Sequence, residues 1–263
     1  MDEKKAILAV SFGTSHADTL ARTIGAIEAE LAAAFPKRAF RRAFTSGMIC
    51  RKLKARDGLD IPSAAEALED LLREGCTDVV IQPTHVINGE EYDKLLAQAE
   101  PCRGRFARLS VGAPLLTTVE DYHALAAAVL AELPEEREDT AIIFMGHGTE
   151  HYVNPSYAQL EYVFHDLGRR DVLIGTVEGY PALEQVLRRM GERPEVKRAV
   201  LCPLMVVAGD HAKNDLAGAD EDSWKSRLES LGYEVLCNLK GLGEYRGVRE
   251  MFVGHALAAA GEE

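Results

Sequence analysis

Two short motifs occur twice along this 263-residue chain, in the same order, and each occurrence lies at the end of an apolar run. Ser11-Phe12-Gly13-Thr14 is matched by Gly146-His147-Gly148-Thr149, and Pro83, Val86 and Gly89 in a P-x-x-V-x-x-G pattern are matched by Pro203, Val206 and Gly209. Repetition of spaced motifs in a fixed order predicts a duplicated structural unit rather than one continuous core. The runs themselves, 6–12, 79–83, 141–145, 172–176 and 199–202, are short, apolar and rich in β-branched residues, as buried parallel strands are. Amphipathic stretches at 18–35, 63–75, 90–100, 119–133, 181–190 and 223–231 separate them and predict helices. Asp18 and Ser63 stand where N-caps belong, and Gly75 and Gly191 where helices stop. The alternation predicts an α/β fold of two similar lobes, each a parallel sheet flanked by helices.

The polar run 134–139 reads as the linker, so the expected lobes are 1–134 and 135–263, with a last helix over 244–260 free to pack on either lobe. A chain of this length suits two such cores. No stretch approaches the ~20 apolar residues of a membrane span, and the apolar run after Met1 is short for a secretion signal, so a cytoplasmic protein is expected. Five scattered cysteines without a C-x-x-C pair read as reduced thiols. A net charge of −12 argues against nucleic-acid binding, and an anionic ligand would need a local basic patch. Arg51, Lys52, Lys54 and Arg56 form the densest one, as either a solvated helix face or a binding surface. Without G-x-x-x-x-G-K-[ST], or G-x-G-x-x-G after the first strand, no nucleotide cofactor is expected.

Ligands of parallel sheets bind beyond the carboxyl ends of the strands. Three strand-end turns there carry metal-capable side chains beside glycines: His147, Glu178 and the Asp210-His211 pair. Two imidazoles and a carboxylate suit a borderline divalent ion and leave coordination positions open. An imidazole also suits proton acceptance near neutral pH. Under the duplication, His147 stands where the first half has Phe12, and His211 where it has Glu91. His123, His165 and His255 fall in helical stretches without evident polar partners and read as surface or core residues, whereas His151, His16 and His85 lie at strand ends.

These motifs, taken together, resemble the class II cobalt chelatases of anaerobic cobalamin synthesis. The resemblance rests on Val10-Ser11-Phe12-Gly13-Thr14-Ser15, Arg42-Ala43-Phe44-Thr45-Ser46-Gly47-Met48, His85-Val86-Ile87-Asn88-Gly89-Glu90-Glu91-Tyr92, Phe144-Met145-Gly146-His147-Gly148, Val177-Glu178-Gly179-Tyr180-Pro181, Val207-Ala208-Gly209-Asp210-His211 and Gly241-Leu242-Gly243-Glu244. It implies insertion of Co2+, as substrate metal, into the tetrapyrrole sirohydrochlorin, with precorrin-2 open as a second acceptor and the active site in a cleft between the lobes. It also implies metal ligation by His147, Glu178 and His211, with His147 as proton acceptor. Ser11, Thr14, Arg51, Lys52, Lys54, His85, Asn88 and Gly89 are expected at the tetrapyrrole. Iron or nickel insertion, and a module that binds metal or tetrapyrrole without turnover, remain alternatives, as does a homo-oligomer.

Overall fold

The computed structural model describes residues 4–262, whose strands form two four-stranded, wholly parallel sheets. The first half contains β1 (Lys4–Ser11), α1 (Ala17–Arg22), α2 (Ile24–Ala34), β2 (Ala39–Phe44), α3 (Gly47–Asp57), α4 (Ala64–Arg73), β3 (Cys76–Pro83), α5 (Glu90–Ala99) and β4 (Arg108–Val111). After α6 (Val119–Leu130) come β5 (Thr140–Gly146), α7 (Ser156–Asp166), β6 (Val172–Thr176), α8 (Leu183–Gly191), β7 (Arg198–Leu204), α9 (Trp224–Ser230), β8 (Glu234–Cys237) and α10 (Arg246–Ala260). The strand orders, β2-β1-β3-β4 and β6-β5-β7-β8, are the same topology twice.

The register of the strands repeats as well. Val10 pairs with Pro83 in one sheet and Met145 with Pro203 in the other, so both sequence motifs occupy matching rungs. Ser11 faces Phe44 as Gly146 faces Thr176. Beyond the strands, backbone hydrogen bonds continue the match: Thr45 and Ser46 donate to the carbonyls of Ser11 and Phe12, while Val177 and Glu178 donate to those of Gly146 and His147.

Each sheet is covered by helices whose apolar spacing fits the 3.6-residue period. In α4, Ala64, Ala67, Leu68 and Leu71 are buried against β1 and β3, and Ser63 starts the helix with a reciprocal capping box to Glu66. In α8, Leu183, Val186 and Met190 do the same for the second core with Ile143, Leu173 and Leu201. Fully buried leucines such as Leu68 contribute about 2–5 kcal/mol each relative to alanine.

The chain separates into a unit of residues 1–121 and 246–263 and a unit of residues 122–245. The division falls within α6, ahead of the polar run 134–139, and α10 belongs with the first unit, one of the two placements open to it from sequence. Each half therefore ends in a helix that belongs to the other unit. The helix expected over 18–35 is two, because the buried Thr23 donates its hydroxyl to the Thr19 carbonyl and takes a non-helical backbone conformation. Asp18 lies in the first turn of α1 rather than at its cap, which is His16. Three strands lack a sequence signal: β2, with Arg41 and Arg42 inside it, and β4 and β8, four residues each and mostly exposed or half-buried. All three are edge strands that are only partly buried and carry no continuous apolar run, unlike the fully buried edge strand β6.

Candidate metal centre

In the second unit, β5 delivers His147 on a turn that only glycine permits on either side. A Cβ at Gly146 would lie 2.4 Å from the Tyr157 ring, and one at Gly148, where φ is +80°, would lie 2.6 Å from the Gly179 nitrogen. The turn after β6 can therefore lie against the turn after β5, tied by the Glu178 amide donating to the His147 carbonyl at 2.8 Å. Tyr157, buried beneath, accepts from the Gly148 amide, and burial pushes its phenol pKa up. His211 comes from the turn after β7 and leads into a single π-helical turn, Ala212–Leu216.

These elements converge on one point. His147, Glu178 and His211 each offer a ligand atom, and the three atoms lie within 4.8 Å of one another, the one such group of three among the described residues. The two imidazole rings stand edge to face with centroids 4.8 Å apart. His147 Nδ1 lies 3.0 Å from the Gly148 carbonyl and 3.7 Å from Glu178 Oε2, and His211 Nδ1 lies 2.6 Å from Asp215 Oδ2. A carbonyl and a carboxylate can only accept, so a neutral imidazole at either position holds its proton on Nδ1 and leaves the lone pair on Nε2. All three side chains keep substantial exposure, from 35% for His211 to 58% for Glu178. A borderline divalent ion fits this donor set, and exposure leaves positions open for exchange.

The first unit has the same frame and different groups. Phe12 occupies the His147 position and Ser46 the Glu178 position, matched by backbone hydrogen bonds. Glu91, 3.7 Å from Lys94 Nζ, stands at the His211 position. The repeated motifs carry two of these three equivalences; Ser46 and Glu178 share only the following glycine.

Of the residues expected at the tetrapyrrole, several are engaged within the first unit. Ser11 is buried and its hydroxyl accepts from Thr84; Thr14 is buried and accepts from the His16 amide. Asn88 donates to the Leu116 carbonyl and to Thr117, and Gly89 caps α5. His85 is buried with neither ring nitrogen hydrogen-bonded, and desolvation, with a smaller push from Lys94, lowers its pKa to about 4. The basic cluster lies on α3, where Lys54 pairs with Asp60, and Arg56 with Asp57 and the Ser15 carbonyl. Arg51 and Lys52 are exposed and have no ion pair among the described residues.

Two helical histidines do have polar partners, one from a neighbouring strand and one from segments distant in sequence. His165 Nε2 lies 2.7 Å from the Val172 carbonyl, and His255 bridges Asp121 at 2.8 Å and the Ala113 carbonyl at 3.2 Å. His151 Nδ1 accepts from the Val153 amide and its ring packs on Tyr152. Two further groups beside this cluster are Tyr157, which has no local sequence signal, and Asp215, whose one signal is its i+4 spacing from His211. The five cysteines form no disulfide, and no described helix is long and apolar enough to cross a membrane.

The profile of the cobalt chelatase (CbiK) family matches residues 5–261. A sirohydrochlorin cobaltochelatase of Salmonella typhimurium is 44% identical over 263 residues, covering 99% of both chains. Sirohydrochlorin cobaltochelatase CbiKC of Nitratidesulfovibrio vulgaris is 38% identical over 97% of this chain and 90% of its own. Among solved structures, SirB from Bacillus subtilis with Fe3+ shares the fold at a TM-score of 0.68 and 14% identity, covering 98% of this chain and 96% of that one. A nearly full-length profile match, two nearly full-length relatives above 30% identity and a duplicated α/β frame establish that the chain belongs to the CbiK cobalt chelatase family.

Proposed function

We propose that this protein inserts Co2+ into sirohydrochlorin, and that His147, Glu178 and His211 hold the cobalt ion before transfer. The observation that carries the reading is the convergence of these three side chains, from three strand-end turns, to within 4.8 Å of one another. The relatives at 44% and 38% identity are both named sirohydrochlorin cobaltochelatase, which supplies the substrate.

The chemistry follows from the donor set. Two neutral imidazoles and one carboxylate leave a bound Co2+ with a net positive charge and open coordination positions. Thiolates would hold such an ion more firmly, and none belongs to this group. Metallation of the macrocycle releases two protons from its ring nitrogens as four nitrogens take the metal. His147 is ligand first and base second: once its Nε2 lets go of cobalt, it accepts one ring proton. The other reaches water through the exposed Glu178 carboxylate. Arg51 and Lys52 are the cations left to meet carboxylates of the macrocycle. Five unpaired cysteines suit a reducing compartment, which supports a cytoplasmic site of action.

The test is a multiple-turnover absorbance assay of sirohydrochlorin metallation. Wild-type protein is expected to form cobalt product in molar excess over itself, while His147→Ala and His211→Ala, each with native circular dichroism, lose at least about 100-fold in initial rate, more than an outer partner of a ligand would cost. Wild-type rates in both variants would refute the ligand assignment. A plateau at one product per protein would refute catalysis in favour of storage. Repeating the assay with Fe2+ and Ni2+ measures the metal preference, which imidazole and carboxylate donors do not fix by themselves.

A further inference from the structure

Immediately after the third strand-end turn the backbones of the two units part. In both, the chain leaves the strand through a matched glycine and begins a helix: the Asp93 amide donates to the Gly89 carbonyl and the Lys213 amide to the Gly209 carbonyl, each at 3.0 Å. The first unit then continues as the regular helix α5. The second makes the π-helical turn Ala212–Leu216 instead. A π turn accommodates one extra residue, and such turns concentrate at functional sites.

The consequence can be read from burial. Leu95, four residues after Glu91, is fully buried and belongs to the first core. Its counterpart, four residues after His211, is Asp215, and the residue that enters the second core is the next one, Leu216, also fully buried. The extra residue of the π turn thus shifts the core position by one and releases position 215 from the interior. Asp215 uses that freedom to place Oδ2 2.6 Å from His211 Nδ1. The carboxylate occurs in the unit that has the histidine; where position 91 is a glutamate, its i+4 partner is an apolar core residue.

We infer that Asp215 is a positioning residue for cobalt binding: it holds the Nδ1 proton of His211, fixing the tautomer and ring orientation that turn Nε2 toward the metal. The inference rests on the reading of His211 as a ligand. His147 has its Nδ1 held by a backbone carbonyl, which no side-chain substitution removes; His211 relies on a side chain and is therefore open to test. Carboxylates that orient metal-bound histidines in this way contribute about 10–100-fold in metal affinity.

The experiment is a Co2+ titration of the purified protein, without tetrapyrrole, followed by the visible absorption of bound cobalt. Asp215→Ala is expected to weaken Co2+ binding by about 10–100-fold with an unchanged melting temperature. Asp215→Asn, whose amide oxygen still accepts from Nδ1, is expected to recover most of that loss, which a requirement for charge alone would not allow. The double variant His211→Ala/Asp215→Ala is expected to bind no more weakly than His211→Ala, because the carboxylate acts only through the imidazole. Wild-type affinity in Asp215→Ala, or a loss that adds fully to that of His211→Ala, would overturn the inference. If His211→Ala itself binds Co2+ as wild type does, the ligand assignment fails first, a result distinct from failure of Asp215 alone.

Discussion

The two units of this protein share strand order, register and the hydrogen bonds of their strand-end turns, yet the cluster of three metal-capable groups lies in the second. Phe12, Ser46 and Glu91 mark in the first unit the places of His147, Glu178 and His211. The difference teaches that the frame and the chemistry are separable. A parallel sheet with glycine-bearing turns presents three positions in one neighbourhood, and the side chains placed there decide what the neighbourhood binds. The contrast is not purely one of side chains, because the π turn after His211 alters the backbone as well.

The most severe way to erase the difference is to give the second unit the residues of the first. His147→Phe and Glu178→Ser each remove one donor while installing a side chain the frame already carries elsewhere, so folding should survive. Co2+ affinity, measured by titration, is expected to fall by more than about 100-fold for His147→Phe. Retained affinity would mean that the metal binds elsewhere. Next in size is the glycine that lets the turns meet. Gly148→Ala places a methyl group against the Gly179 nitrogen at positive φ and is expected to lower stability by about 3 kcal/mol in urea denaturation. Gly75→Ala is the control, with a φ of +80° but nothing within 4 Å of the added carbon, and should lose only about 1 kcal/mol.

A third effect belongs to the first unit. His85 has a folded pKa near 4 against an ordinary value of 6.5, so between these values the unfolded chain binds more protons than the folded one. Its contribution to stability is therefore complete above about pH 6.5 and is lost as the pH falls toward 4. The full loss corresponds to about 3 kcal/mol. His85→Met, which installs the residue found at the matching position of the second unit, is expected to flatten that part of the stability–pH curve. An unchanged slope would show that other groups produce it. The smallest effect is expected on α3, where Arg51→Ala and Lys52→Ala should each raise the KM for the tetrapyrrole by no more than about fivefold and leave kcat alone, as fits exposed charges worth about 1 kcal/mol or less.

Much of this contrast was legible in the sequence, for reasons that particular residues make plain. Central strands such as β1 and β5 announce themselves because both faces are buried, and the glycines around His147 are dictated by close approaches that permit no side chain. The cluster was legible because metal-capable side chains stand out when they lie beside such glycines at strand ends. Three edge strands were not, since a strand paired on one side only and partly exposed, such as β2 with Arg41 and Arg42, needs no continuous apolar run, whereas the buried edge strand β6 has one. Nor was the exchange of α6 and α10 between units, because an amphipathic helix records that it has an apolar face but not which core receives it. Asp215 was missed because an aspartate one turn from a histidine is ordinary in sequence; its meaning depends on a π turn that no local propensity signals.

Diffraction from crystals soaked in Co2+, collected at the cobalt absorption edge, locates the metal without reference to activity. The account predicts one dominant anomalous peak within coordination distance of His147, Glu178 and His211, in the second unit, with His211 still held by Asp215. A dominant peak among Phe12, Ser46 and Glu91, or one coordinated by none of the three second-unit residues, would contradict it.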